Sequence, residues 1–241
     1  MPTPIQWAAQ LPHVREVSLL GSADLSYWQA RLKLEDLQPL ECDNRAQIKI
    51  IAADSKFMGL PFREVSFSVG IVPPDPVHGN EAVFLVQAFN SVRFFAWCER
   101  TLFGTPYEHG DVRVNATLNA AIHLSHHGRA CFAAVMSAPV APIRPAIDRG
   151  NESWEGTVFL PSRRNVPSAD RKLFVARLSG HTNAYSYRAD ADTLTITPAS
   201  TEDIWQSLLD SHFVPIEWSI RPDAKHAKSK TYTRKQVQPH S

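Results

Sequence analysis

The chain has 241 residues, 44% hydrophobic and 20% charged, a length that suits one domain of the ~200–250-residue size common among β-rich folds. A formal net charge of +1 gives no whole-chain field for nucleic acid or an anionic membrane surface, and no apolar run approaches the ~20 residues that span a bilayer. The three cysteines, Cys42, Cys98 and Cys131, are odd in number, far apart and without C-x-x-C spacing, which argues against a disulfide framework or zinc ribbon. With no signal-like pattern in residues 1–10, the expectation is a cytoplasmic protein.

Alternation dominates the chain. Trp28, Ala30, Leu32 and Leu34 alternate with Gln29, Arg31, Lys33 and Glu35, which predicts a half-buried strand. Residues 46–53 form a short apolar strand candidate. In residues 62–72, Val65, Phe67, Val69 and Ile71 lie opposite Phe62, Glu64, Ser66 and Ser68; Pro73, Pro74 and Pro76 then end the strand. Residues 81–89 read as the return strand of a hairpin. Residues 91–103 read as a helix that stops at Gly104 and Pro106. The longest alternation runs over 112–124, with Arg113, Asn115, Thr117, Asn119 and His123 on its polar face. A turn at His127-Gly128 returns the chain through 130–136. The proline-rich stretch 139–149 reads as a connection. Further strands are expected at 157–160, 172–178, 184–188, 193–197 and 217–221, and a second helix over 200–211 with acids in its first turn. Many short strands, 18 prolines and two helices predict one mostly antiparallel β domain, closed or double-layered, over residues 1–221. From Pro222 to Ser241 the composition becomes basic and poorly apolar, which predicts a tail mobile at its end.

Three short motifs carry a family resemblance: Phe62-Arg63-Glu64, Cys98-Glu99-Arg100 and Phe103-Gly104-Thr105-Pro106, the last followed by Tyr107 and Glu108. Over roughly residues 25–130 the pattern resembles the acetoacetate decarboxylase-like superfamily. It looks closest to an uncharacterised branch reading Phe-Gly-Leu-Pro-Tyr; a later segment with His181, residues 174–187, is also similar to that branch. The resemblance implies a mainly β (α+β) fold, an antiparallel cone-shaped β-barrel or double sheet with a few short helices, enclosing a small cavity. The decarboxylases of the family form a Schiff base between a lysine and a substrate ketone, and acetoacetate decarboxylase is itself the standard illustration of a lysine activated by its surroundings. Tyr107 and Glu108 stand where the resemblance places the lysine pair, and neither can form an imine. A carboxylate at Glu108 would also favour the protonated form of a nearby amine. Lys49 and Lys56 are the candidates for an amine arriving from another strand.

The residues leave several roles open. Glu64 reads either as a general acid or base in the cavity or as a solvent-facing glutamate. Tyr107 reads as a donor to a bound carbonyl, carboxylate or enolate, or as a packed core phenol. Arg100 is a clamp for an anionic ligand or half of a surface ion pair with Glu99. Phe62, Glu108 and Arg113 are the other candidate ligand contacts, although the face that carries Arg113 is equally plain solvated surface. His123 and His126 fall on opposite strand faces and His127 lies in a turn, so no metal site is expected. No cofactor is expected either, since Gly-x-Gly-x-x-Gly and Walker-type loops are absent, as is a Gly-x-Ser-x-Gly elbow. These residues, with the resemblance, lead to a protein that takes a small oxo- or carboxylate-bearing molecule in an internal barrel cavity. Lyase-like chemistry without a Schiff base would fall to Glu64 and Tyr107. The alternatives are a non-catalytic small-molecule binder and a Schiff-base decarboxylase with a relocated lysine. The expected partner is a small-molecule ligand, with neither nucleic acid nor membrane; a homo-oligomer is the assembly the resemblance carries.

Overall fold

Strand register explains why this chain buries charge. The computed structural model describes residues 4–73, 81–137, 146–162, 166–198 and 204–237. The first elements are β1 (Trp7–Asp24), α1 (Leu25–Lys33), β2 (Gln38–Pro39), β3 (Glu41–Cys42), β4 (Arg45–Phe57), β5 (Leu60–Val72) and β6 (Glu81–Asn90). Then come α2 (Arg93–Cys98), a π-helical turn (Glu99–Phe103), β7 (Tyr107–His109), β8 (Asp111–Asn115), β9 (Ala121–His126) and β10 (Arg129–Val135). The rest are β11 (Ile147–Phe159), β12 (Lys172–Ser186), β13 (Thr193–Ile196), α3 (Ile204–Asp210), β14 (Val214–Ser229), β15 (Tyr232–Thr233) and α4 (Arg234–Val237).

Strands β5, β4, β1, β14, β12, β11 and β6 are hydrogen-bonded in that order, and β6 pairs back to β5. The ring is closed, which removes the open edges a sheet of this size would otherwise present. Every pairing in it is antiparallel except β6–β11. The second sheet, β13-β10-β9-β8, packs on the outside of the ring. Their shared core takes Val17, Leu19, Ile48, Ile50, Val65 and Phe67 from the ring, and Val112, Ile122, Leu124 and Phe132 from the second sheet. Trp205 of α3 sits between them, 5.1 Å from Phe67, 5.5 Å from Phe89 and 6.0 Å from Phe132, ring centre to ring centre.

Because side chains alternate, filling the outer face with this core turns the other face of the same strands into the ring. Glu16 pairs with Ala53 and Ala53 with Glu64; Lys49 pairs with Ser68. Glu16, Lys49, Glu64, Ser66 and Ser68 therefore line the interior. On the far wall, His226 pairs with Leu178 and Lys228 with Ala176. The observed architecture is mainly β, an antiparallel barrel and a second sheet with a few short helices, as expected.

Several local expectations need correction. Residues 25–33 form helix α1 rather than a strand. Trp28 and Leu32 are buried while Ala30 and Leu34 are exposed; a spacing of four satisfies both periods, and only the exposed residues between tell them apart. The alternation over 112–124 is two strands, β8 and β9, folded back as a hairpin. The turn between them is tied by Asn115 Nδ2 to the Asn119 carbonyl at 2.8 Å and by Thr117 Oγ1 to Asn115 Oδ1 at 3.0 Å. Segments 172–178 and 184–188 fall largely within one continuous strand, β12. β1, whose sequence drew no expectation, is a central strand between β4 and β14.

The basic tail is also corrected over residues 222–237. β14 runs through Pro222 to Ser229 between β1 and β12, β15 pairs with β12, and Arg234 is buried with its guanidinium 5.0 Å from the Phe159 ring. Residues 238–241, most of the 139–149 connection and the first turn expected for the second helix lie outside the described residues. Among the described residues, no helix is long and apolar enough to cross a membrane.

Candidate active site

Two poles of charge occupy the ring interior. At the first, Glu64 of β5 meets Tyr107 of β7, whose hydroxyl donates to Glu64 Oε2 at 3.2 Å. β7 brings Tyr107 there by pairing in parallel with the end of β6, Ala88 against Tyr107. The π-helical turn before it carries Glu99, whose Oε2 accepts from Thr105 Oγ1 at 2.8 Å and pairs with the Lys228 ammonium. The Lys228 ammonium also lies 4.7, 4.9 and 5.6 Å from the ring centres of Phe174, Phe103 and Tyr107. A cation with three ring faces and a carboxylate around it is held in place by its surroundings.

At the second pole Glu16, fully buried, accepts from Arg221 at 2.6 Å and sits 2.7 Å from His226 Nε2. Arg221 also donates to Glu152 at 3.0 Å. Lys49 projects into the same region. Its ammonium makes no hydrogen bond or ion pair among the described residues, while its carbonyl accepts from Ser68 Oγ at 3.1 Å. Along the strands Lys49 and Glu64 are four residues apart in register, roughly 13 Å.

Environment sets the two carboxyls in opposite directions. Burial raises the Glu64 pKa above the usual carboxylate range and the Glu99 charge raises it further; His226, Lys228 and the Tyr107 hydrogen bond pull the other way without overcoming them. Burial would also raise Glu16, but the His226 hydrogen bond and charge, then Arg221 and Lys49, outweigh it and hold the carboxyl at about 2. Burial, with the Glu64 charge next, pushes the Tyr107 phenol well above 10.0, so it is a neutral donor. Burial lowers the Lys49 amine and Arg221 adds to that, against the attraction of Glu16, Glu81 and Glu152.

The sequence candidates divide accordingly. Glu64 and Tyr107 converge, and Phe62 shares the Glu64 face, packed edge-on against Phe95 of α2 at 5.7 Å. Glu108 alternates away from Tyr107 to the other side of β7, where Oε2 lies 2.8 Å from His126 Nε2. Arg100 is exposed. Arg113 has a side chain 76% exposed, in the second sheet, and pairs with Asp111. His123 is exposed and stays apart from His126 and His127. Lys56 is exposed; Lys49 is the lysine that enters the ring from β4.

Glu16, Arg221, His226 and Lys228 were not among the candidates. Glu16 carries one local signal, an acid inside the alternating apolar stretch 14–20. Arg221, His226 and Lys228 carry none: they become interior residues only because β14 closes the ring between β1 and β12.

No family model matches the sequence, and no curated protein matches it. Solved structures do match. Acetoacetate decarboxylase from Legionella pneumophila aligns over 97% of this chain and 92% of its own, at TM-score 0.58 and 16% identity. The enduracididine biosynthesis enzyme MppR, complexed with the condensation product of pyruvate and imidazole 4-carboxaldehyde, aligns over 98% and 92% at TM-score 0.61 and 11% identity. An acetoacetate decarboxylase-like enzyme from Sphingomonas wittichii RW1 aligns over 91% of each chain at TM-score 0.55 and 12% identity. The chain has the acetoacetate decarboxylase-like fold.

Proposed function

We propose, from the acetoacetate decarboxylase-like fold of this chain, that the barrel interior binds a small oxo acid and that Glu64 and Tyr107 move its proton. One observation carries the reading: a half-buried carboxyl with a raised pKa hydrogen-bonded to a neutral phenol, both facing the interior. In the ionised form Glu64 takes a proton from the carbon next to the carbonyl. The C–H electron pair becomes the C=C bond, and the carbonyl π pair moves to oxygen. Tyr107, turning its O–H from Glu64 to that oxygen, stabilises the enolate. Interior cations at Arg221 and Lys228 supply attraction for the substrate carboxylate, and His226 lies beside them as a ring-nitrogen partner.

The test reads the elementary step. Each of a panel of 2- and 3-oxo acids is incubated in deuterated buffer, and label entering the carbon next to the carbonyl is followed by NMR. Exchange is expected with at least one, falling by about 10²-fold or more in Glu64→Gln and in Tyr107→Phe. Exchange that both variants retain would remove the reading. A ligand that raises the melting temperature yet returns unlabelled and unchanged would leave a non-catalytic binder.

A second reading rests on Lys49. Its amine is half-buried, lowered in pKa by desolvation and without an ion-pair partner among the described residues, the conditions that make a lysine nucleophilic. In that version the imine forms at the Glu16–Arg221 pole. Borohydride trapping with the same panel decides: an adduct on Lys49, lost in Lys49→Met, selects the Schiff base, and no adduct beside active exchange selects Glu64 and Tyr107.

A further inference from the structure

Behind Tyr107, on the opposite side of β7, Glu108, His126 and His127 bring three ligand atoms within 4.8 Å of one another. Their convergence has a structural cause. β7 lies along the end of β6, Phe89 paired with Glu108, so Glu108 faces the gap between the ring and the second sheet. His126 ends β9 in that gap, its ring edge-on to Phe89 at 5.2 Å. Neighbouring residues on a strand point to opposite faces, but His127 is in the left-handed region, with φ 50°, and Gly128 follows at 76°. That turn swings the His127 ring beside His126, 3.9 Å centre to centre and tilted by 38°. Such a pair of imidazoles with a carboxylate is a recurrent donor set for zinc and neighbouring divalent ions.

We infer that Glu108, His126 and His127 form a binding site for a divalent transition metal ion of the zinc type. Ligands about 2.0–2.1 Å from a tetrahedral ion stand roughly 3.3 Å apart. The 2.8 Å Glu108–His126 contact and the 4.8 Å limit of the cluster bracket that spacing, so small side-chain adjustments suffice. Three protein ligands leave a position for water. The bound ion would join β7 of the ring to the β9–β10 hairpin of the second sheet, clamping the strand that holds Tyr107.

The test uses the untagged full chain, stripped with chelator and desalted, and zinc alone as the probe. Calorimetric titration should show one ion per chain, and cobalt in its place should give the visible bands of a low-coordinate site with nitrogen and oxygen ligands. His127→Asn removes the imidazole while keeping a residue that tolerates positive φ; Glu108→Gln removes the charge. Each is expected to weaken binding at least about tenfold, with circular dichroism unchanged. No saturable binding near one equivalent would overturn the proposal, as would equal affinity in both variants and the parent.

Discussion

Glu64 and Glu16 show how one interior shifts two identical groups in opposite directions. A carboxyl whose pKa is raised on folding adds stability only at low pH, and that contribution is lost as pH rises through the folded value. Ionised Glu64 is therefore a cost at neutral pH, and Glu64→Gln is expected to raise the melting temperature there while turnover falls. Equal melting temperatures for parent and variant would argue that the carboxyl is not strained by burial. Glu16 behaves in the reverse sense. Depressed from 4.5 to about 2, it contributes stability that is present above 4.5 and lost as pH falls toward 2, on the order of 3 kcal/mol. Denaturant midpoints between pH 5 and pH 2 should drop steeply. Removing the acid by Glu16→Gln leaves buried Arg221 with only the part-exposed Glu152 as counterion and should destabilise the protein already at pH 7, by up to about 3–5 kcal/mol.

Among the elements, the π-helical turn Glu99–Phe103 is the one that serves the site most directly. It ends at Gly104, with φ 68°, and the Thr105 amide returns to the Glu99 carbonyl at 3.2 Å. A methyl group at Gly104 would also stand 2.6 Å from Lys172 Nζ. Gly104→Ala is expected to cost about 1–2 kcal/mol from the backbone alone. It should also weaken ligand binding, because Glu99, Thr105 and Lys228 shift together; a wild-type melting curve and affinity would contradict that. The sequence reading located this turn through Gly104 and Pro106, and found β5 through its period-two pattern, β4 as a short apolar run, β6 as the return strand of a hairpin and the β9–β10 hairpin through the His127-Gly128 turn. It misread α1 because Trp28 and Leu32 fit both periods, and joined β8 to β9 because Ala116 and Ala120 keep the alternation across a turn. β1 was passed over although Val17 and Leu19 alternate with Glu16 and Ser18. Of the site, Glu64 and Tyr107 were legible through the motifs around them. Glu16, His226 and Lys228 were not, since a charge inside a closed sheet looks in sequence like a charge on an open one.

At the scale of the whole molecule, an apolar core and a charged lumen are separated by one wall of strands. Outside the wall lies the apolar core with Trp28, Trp205 and Trp218, all fully or almost fully buried. Inside lies a lumen where Glu16, Lys49, Glu64, Arg221, His226 and Lys228 balance one another with smaller apolar clusters around Phe174 and Ala224. The core gives the barrel its stability, leaving the interior able to keep groups that burial disfavours. Arg221, His226 and Lys228 all come from β14, the last of the ring strands in the sequence, and it pairs with β1, the first. Without β14, β1 and β12 would each have an unpaired edge, and Glu16 and Glu99 would lack Arg221 and Lys228. Closing the lumen requires a pairing of very long sequence separation, of the kind that is slow to form. The contacts of Glu16 with Arg221 and His226 therefore exist only once the first and last strands of the ring have met.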